Sequence, residues 1–457
     1  MGKTTRKIGR LTKLGALSSK ISGSYLSQKI RSSFQSIEEE SEDLQRTHIK
    51  NAERIVDVMA DIKGAAMKVG QSLAIVADSF DMPKEISAIL SSLHNQALSI
   101  PFPEIESVIQ QEFQHVDFPF LSIDPIPLGT ASLAQAHAAT LQNGKQVVIK
   151  VLHKGVEESV DTDLQALKKI LQVGRFWKRS SEEIDILFDE IRIHLLEELD
   201  YERELFFLQY FHNVFANIPN IRTPFPYSEF STKRVLTMQR LLGMPLDVFC
   251  QTADSTAKKK AGDLLCTAFH EMAYVQRAVH ADPHPGNYLF QQDGSIGILD
   301  FGCVKRYSKK FISDYSQFGN AIVDDNREEM LQLAHVLQVL PFEKATESSQ
   351  IALYELAKVV GKVFQQDIFY IGGEGDTLIE DIKATSKELL SHSEVRGPRD
   401  MIFLHRALIG IYSMLRKLNH FADYETIRRQ YANHAISVEQ NLIQDTSKFE
   451  VVDYNKK

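Results

Sequence analysis

Cysteine is scarce in this chain: Cys250, Cys266 and Cys303 are the only thiols in 457 residues. They are too few and too scattered for a disulfide framework or a zinc site, which points to a reducing, cytoplasmic-type compartment. Long apolar runs are missing as well. No uncharged stretch reaches the ~18 residues that a bilayer-spanning helix needs. The nearest approach, Met401 to Leu415, is interrupted by His405 and Arg406, and its Ile402, Leu408, Ile409, Tyr412 and Leu415 read as one face of a core helix. No apolar h-region follows the first basic residues, so a secretory signal is not expected. Met1-Gly2-Lys3-Thr4-Thr5-Arg6 departs from the myristoylation pattern at its last position, and Gly2-Lys3-Thr4 lacks the upstream glycine of a P-loop.

Acidic residues are absent from residues 1 to 34, which hold eight Lys or Arg. The remainder then sets 44 basic residues against 60 acidic ones. A basic arm on an acidic body argues against a nucleic-acid partner. It suits either a solvated terminus or an anionic membrane surface, where each basic residue contributes roughly 1 kcal/mol. Localisation is accordingly expected to be cytoplasmic, with peripheral membrane attachment as an option.

Residues 36 to 48 read as an acidic, polar link. From Asn51 to Leu93 the period is helical, with Ile55, Val58, Met59, Ile62 and Ala66 on one face and Asp81-Met82-Pro83 as punctuation. Pro101 to Phe113 reads as another helix. The period then shortens: Leu121 to Leu128, Ser132 to Leu141 and Gln146 to Leu152 read as strands, the last two joined by a two-residue hairpin at Asn143-Gly144. One long helix is expected over Ser181 to Phe215, a strand over Arg234 to Leu241, and short strands at Asn287 to Phe290 and Ile296 to Leu299. Elsewhere after Leu242 the chain reads as helical.

The chemistry concentrates in His280-Ala281-Asp282-Pro283-His284-Pro285-Gly286-Asn287, followed by Asp300-Phe301-Gly302. Phosphoryl transfer from ATP needs magnesium held by hard oxygen ligands. Asn287 and Asp300 supply them as metal ligands, and Asp282, five residues before the Asn, can face the attacking oxygen as catalytic residue. His280 and His284 read as structural. A metal cluster of His280, Asp282 and His284 is disfavoured, because prolines flank His284 and no helical His-Glu-x-x-His is present. Val147-Val148-Ile149-Lys150 is a strand ending on a lysine suited to the α- and β-phosphates, with a carboxylate partner expected between Leu196 and Glu204.

Three further motifs give the chain its resemblance to the UbiB-like, aarF-domain-containing atypical kinases, over about residues 50 to 420. Lys68-Val69-Gly70-Gln71 is similar to that family's KxGQ motif. Gly129-Thr130-Ala131-Ser132, continuing to His137, resembles the alanine-rich loop that takes the place of a glycine-rich phosphate cover. Glu198-Leu199-Asp200-Tyr201 resembles the ExD motif, and Glu204 falls where the family's lysine-pairing glutamate sits. The resemblance implies ATP and Mg2+ as cofactors, with Gly129, Thr130, Ala131, Ser132, Lys150, Glu204, Asn287 and Asp300 around them. It also implies a gate built from Lys68, Gly70, Gln71, Glu198 and Asp200 that keeps protein substrates out. Activity as a kinase or ATPase on an isoprenoid quinone precursor or a lipid is the implied function. Gly129 and Thr130 depart from the alanines of quinone-pathway members, and Gln239 replaces a common glutamate.

The fold class expected is α+β: a two-lobed protein-kinase-like fold with an N-terminal helical KxGQ extension and a mainly helical C-lobe. The divisions expected are an arm (1–35), the KxGQ extension (36–120), the N-lobe (121–242) and the C-lobe (243–457). A small-molecule phosphotransferase of the aminoglycoside or choline kinase type is the rival enzyme, but it lacks KxGQ and the alanine-rich loop. A nucleotide-binding scaffold without turnover is the non-enzyme rival.

Overall fold

A computed structural model describes residues 2–32, 37–62, 99–173 and 181–440, apart from 374, 393 and 396. The KxGQ residues Lys68, Gly70 and Gln71 therefore lie outside the described residues. The chain divides into two compact units, Met1–Gln209 with Phe225–Arg240, and Tyr210–Pro224 with Leu241–Lys457.

The first unit opens with two helices, α1 (Gly2–Ser32) and α2 (Ile37–Ile62). The described part of the expected link at 36–48, from Ile37 on, is thus the start of α2, not a connector. Its Glu, Leu and Gln favour helix, and acids near a helix N-terminus are stabilising. Leu17 and Ile21 of α1 are buried with Ile55 and Met59 of α2. Polar groups fix the pair: Ser24 hydrogen-bonds Asn51, the Tyr25 hydroxyl lies 2.7 Å from His48 Nδ1, and Arg31 pairs with Asp43 at 3.0 Å.

Helix α3 (Phe102–Glu112) precedes a four-stranded antiparallel sheet of three consecutive strands, with Val235–Gln239 (β5) at the edge beside the third. Strands β1 (Phe120–Thr130), β2 (Ala134–Leu141) and β3 (Gln146–Leu152) are contiguous. The β2–β3 connection is not the two-residue hairpin expected. The Gly144 amide donates to Leu141 O at 2.8 Å, Leu141 N donates to Lys145 O, and Gly144 alone of the turn takes positive φ, +81°. That is a type I turn closed by a bulge glycine, which needs only one left-handed residue. Along β3, Val147, Ile149 and Val151 are buried against Ile105, Val108 and Ile109 of α3. Period-2 alternation therefore turns Val148 and Lys150 to the opposite face.

Helix α4 (Val160–Val173) follows. The single helix expected over 181–215 is two, α5 (Ser181–Glu198) and α6 (Tyr201–Phe215), broken at Leu199-Asp200. The Asp200 carboxylate accepts from Arg203 N at 2.9 Å. An aspartate capping a new helix start is the physical cause of the break. The first nine residues of α6 belong to the first unit and the last six to the second. Strand β4 (Ile221–Arg222) and strand β5 (Val235–Gln239) come next, β5 pairing with β3 so that Leu236 faces Lys150 in register.

The second unit continues with α7 (Leu246–Thr252) and α8 (Ser255–His270), capped by Asp254, and a π-helical turn at Glu271–Val275. Strands β6 (Ala278–His280), β7 (Tyr288–Phe290), β8 (Ile296–Ile298) and β9 (Val304–Arg306) then form two small ladders: β6 with β9, and β7 with β8, the latter also parallel to β4. The remainder is helical: α9 (Lys309–Val323), α10 (Arg327–Val336), α11 (Glu347–Gly361), α12 (Leu378–Leu390), α13 (Arg399–Leu418) and α14 (Tyr424–Gln440), with a short β10–β11 pair at Phe369–Tyr370 and Phe421–Ala422. Phe318, Met330, Leu353, Leu389 and Met401 are among the residues of the unit's core. The face expected to be buried on α13 holds only in part. Leu415 is buried and Leu408 and Tyr412 are partly buried, but Ile402 and Ile409 are exposed, and Met401, Leu404, Ala407, Ile411 and Met414 are buried in their place. Among the described residues no helix is long and apolar enough to cross a membrane.

Candidate nucleotide and phosphoryl-transfer site

In the first unit, β3 carries Lys150 and α6 carries Glu204. Lys150 Nζ lies 2.5 Å from Glu204 Oε1, and Glu204 is buried. A carboxylate removed from water needs a partner held in good geometry, and the ammonium supplies it. Tyr201, also on α6, presents its ring 5.8 Å from Lys150 Nζ. Gly129, Thr130, Ala131 and Ser132 lie at the β1–β2 corner, where Ala131 N donates to Ala134 O at 2.9 Å. Gly129 pairs with Ala136, and a Cβ there would meet nothing within 4 Å. Of the ExD pair, Glu198 ends α5, and Asp200 is exposed at the cap of α6. Gln239 is exposed at the end of β5, its side-chain oxygen accepting from Phe225 N.

In the second unit, β6 delivers the chain into the loop at Ala281–Asn287 and β9 holds that loop from the other side, Ala281 N donating to Cys303 O at 2.8 Å. Neither strand is expected from the sequence, which marks only the equally short β7 and β8 in this stretch. His280, almost fully buried, accepts from Asp282 N at 3.1 Å through Nδ1. His284 accepts from Gly286 N at 3.1 Å. Both imidazoles thus shape the loop backbone. The Asp282 carbonyl accepts from His284 N at 2.7 Å and from Asn287 Nδ2 at 3.0 Å. With its amide nitrogen spent in this way, Asn287 has its amide oxygen as the end that could meet a cation. Asn287 O accepts from Leu299 N at 2.9 Å, tying the loop to the residue that precedes Asp300. Asp300 Oδ1 accepts from Gly302 N at 2.8 Å. Phe301, fully buried, stacks on Phe211 with centroids 5.1 Å apart. Hard oxygens from an amide and a carboxylate are the donor set that magnesium takes.

Arg406 was marked in the sequence only as a charge that disqualifies a membrane span. Its Nη2 lies 2.8 Å from Asp282 Oδ1. One turn further along α13, a Cβ on Gly410 would come within 2.3 Å of the Pro283 ring. The helix therefore braces the loop with a guanidinium and, four residues on, with a missing side chain. A periodicity argument has no access to either contact, since both join residues more than a hundred positions apart.

A kinase-like fold of mixed helix and strand is what these elements make. A family model described as the ABC1 atypical kinase-like domain matches residues 92–334. The chain belongs to this family, the UbiB-like, AarF-domain-containing atypical kinases. Among curated relatives, atypical kinase COQ8B, mitochondrial, of Rattus norvegicus is 28% identical over 81% of this chain and 69% of its own length. Atypical kinase COQ8, mitochondrial, of Saccharomyces cerevisiae is 26% identical over 80% of this chain and 73% of its own. AarF domain-containing protein kinase 1 of Xenopus laevis is 31% identical over 62% of this chain and 56% of its own. The chain spans about half the length of another such relative, the coq-8 protein of Caenorhabditis elegans, at 49%. A Mycobacterium tuberculosis protein solved in complex with erythromycin shares the fold, with a TM-score of 0.60 at 20% identity over 87% of this chain and all of its own.

Proposed function

We propose that the chain binds Mg-ATP and acts as an atypical kinase or ATPase in isoprenoid quinone or membrane lipid metabolism, not as a general protein kinase. The observation that carries this reading is the Lys150–Glu204 pair: a lysine within a strand held by a buried glutamate from a helix, 54 positions along the chain. The pair fixes the ammonium where it can bind phosphate oxygens. Asn287 and Asp300 fit magnesium by their donor chemistry, and magnesium would neutralise phosphate charge as the bond to the leaving oxygen breaks. Asp282 orients or deprotonates the acceptor, water or another hydroxyl. Gly129, Thr130, Ala131 and Ser132 cover the phosphates, and Lys68, Gly70, Gln71, Glu198 and Asp200 form the gate. The atypical-kinase names of the COQ8 relatives support the kinase reading, and the proposed gate is what would keep a peptide acceptor out.

Thermal shift with Mg-ATP tests the assignment. Wild type should be stabilised and Asp300→Asn should not, because the metal loses its charged ligand. Equal stabilisation of both sinks the metal site. Generic peptides should remain unphosphorylated while ATP is slowly hydrolysed. Efficient peptide phosphorylation would make this an ordinary protein kinase.

A further inference from the structure

Behind the corner assigned to the phosphates lies a buried chain of polar side chains with no part in the Mg-ATP assignment. Gln135, opposite Thr130 in the β1–β2 register, is 1% exposed. Its neighbour Ala136 stands opposite Lys150 and shares that lysine's face of the sheet. Period-2 alternation therefore turns Gln135 to the other face, with the fully buried His137 beside it. The Gln135 side-chain oxygen accepts from Ile100 N, and its Nε2 donates to Ile100 O at 3.3 Å and to His137 Nε2 at 3.2 Å. His137 Nδ1 donates in turn to Asp124 O at 2.9 Å. A carbonyl can only accept, which puts the imidazole proton on Nδ1 and leaves Nε2 as the acceptor that Gln135 needs. Both side chains are thus spent, and the order of donors is fixed from Ile100 to Asp124.

The relay ends where the sheet itself holds least. Between Ile123 and Pro127 the register of β1 against β2 shifts, so that Asp124, Pro125 and Ile126 stand opposite Ala138 alone, and it shifts again before Gly129. Such a bulge interrupts the ladder, and Pro125 and Pro127 have no N–H to donate. Leu128, Gly129 and Thr130, which follow, are exposed. Through Gln135 and His137 this irregular half of β1 is tied, across β2, to the backbone just ahead of α3. Ile100 packs there against the core that holds Ile105, Val108 and Ile109. Buried hydrogen-bonding groups left without partners are costly, so the tie resists slackening.

We propose that Gln135 and His137 are positioning residues for nucleotide binding: they anchor the corner at Gly129, Thr130, Ala131 and Ser132 from behind and hold it where the phosphates require it. The role rests on the assignment of that corner as the phosphate cover. Neither side chain touches the ligand, since both lie on the face turned away from Lys150. Their contribution is pre-organisation: a corner fixed before ATP arrives does not have to be ordered by it.

Hydrogen–deuterium exchange of the free protein tests the anchor, and competition against a fluorescent nucleotide gives the affinities for Mg-ATP and adenosine. Gln135→Met keeps the volume and removes the relay. Its amides over residues 124–134 should exchange faster than those of wild type. It should bind Mg-ATP about tenfold more weakly with adenosine affinity unchanged, because adenosine has no phosphates to cover. His137→Phe keeps a ring against Phe102 and releases Asp124, and should act in the same direction to a lesser degree. Circular dichroism and melting temperature check the fold, and His137→Phe carries the test if Gln135→Met unfolds. Equal loss of ATP and adenosine affinity overturns the positioning role, as does wild-type ATP affinity in both variants. Absence of Mg-ATP binding by wild type would sink the phosphate cover instead. Faster exchange in the variants would then still support the anchor, and unchanged exchange would overturn it.

Discussion

Asp282 is held at its amide by His280, at its carbonyl by His284 and Asn287, and at one carboxylate oxygen by Arg406. A proposed acceptor-orienting group fixed on so many sides has its direction set before substrate arrives. Asp282→Ala should lower turnover by about 10² to 10⁴ without comparable loss of ATP affinity. Arg406→Ala should lower kcat on the order of 10-fold to 100-fold through misplacement, again with ATP affinity kept, and Arg406→Lys should recover part of it. Parallel loss of affinity and turnover in Arg406→Ala would mean that the loop, not the carboxylate, has been disturbed. A different single-residue effect concerns acid stability. His270 donates through Nδ1 to Cys266 O, 2.8 Å away, and its ring stacks with those of Tyr274 and Tyr431. Enclosure lowers its pKa from 6.5 to about 4. The folded imidazole stays neutral where the unfolded one is protonated, so its contribution is whole above pH 6.5 and is lost as pH falls toward 4. Each unit of that window costs about 1.4 kcal/mol for one such group. Urea midpoints should therefore fall across the window, and less steeply for His270→Phe. An unchanged slope would remove His270 from the account.

Helices α5 and α6 meet at Asp200, whose carboxylate satisfies an amide that α6 would otherwise leave unbonded. The cap also sets the direction of α6, and α6 carries Glu204 one turn later. Asp200→Ala should cost about 1 kcal/mol, within the range for lost caps, readable as a lower melting temperature. Asp200→Asn should restore most of it. If Asn restores stability but not ATP turnover, the carboxylate has a role beyond capping, as the gate proposal requires. Helix α13 shows the opposite economy: at Gly410 an absent side chain is what permits contact with Pro283.

The whole molecule carries a net charge of −8, but its first helix is basic. That helix is docked through Leu17 and Ile21, so removing residues 1–34 would strip the cover from Ile55 and Met59 and confuse charge with folding. Lys13 and Lys20 are exposed, which makes them the better probes. Binding to anionic vesicles is proposed for this helix. Cosedimentation should weaken as salt rises, since such attraction is screened over about 10 Å at 0.1 M. Lys13→Gln with Lys20→Gln should weaken it further at unchanged melting temperature. Vesicle binding insensitive to both salt and the double substitution would place any membrane contact elsewhere.

Local pattern determined much of this protein. Alternation in Val147-Val148-Ile149-Lys150 orients that lysine whatever packs around it, Pro101 starts a helix, and the spacing from His280 to Asn287 marks a loop chemistry. These are properties of neighbouring residues, and neighbours are what a sequence records. The turn at Gly144 and the break at Asp200 were also local, but each had two permitted outcomes. One left-handed residue suffices for a bulge turn, and an aspartate inside an acidic helix reads as surface until its amide partner is known. Tertiary structure alone decided the rest. Helix α13 has apolar residues on more than one side, so periodicity could not choose between Ile402 and Leu404; the small Ala407 and Gly410 let the helix settle against the loop, and Leu404 went inward. The Arg406–Asp282 pair spans 124 positions, and a contact of that reach exists only once the intervening chain has folded.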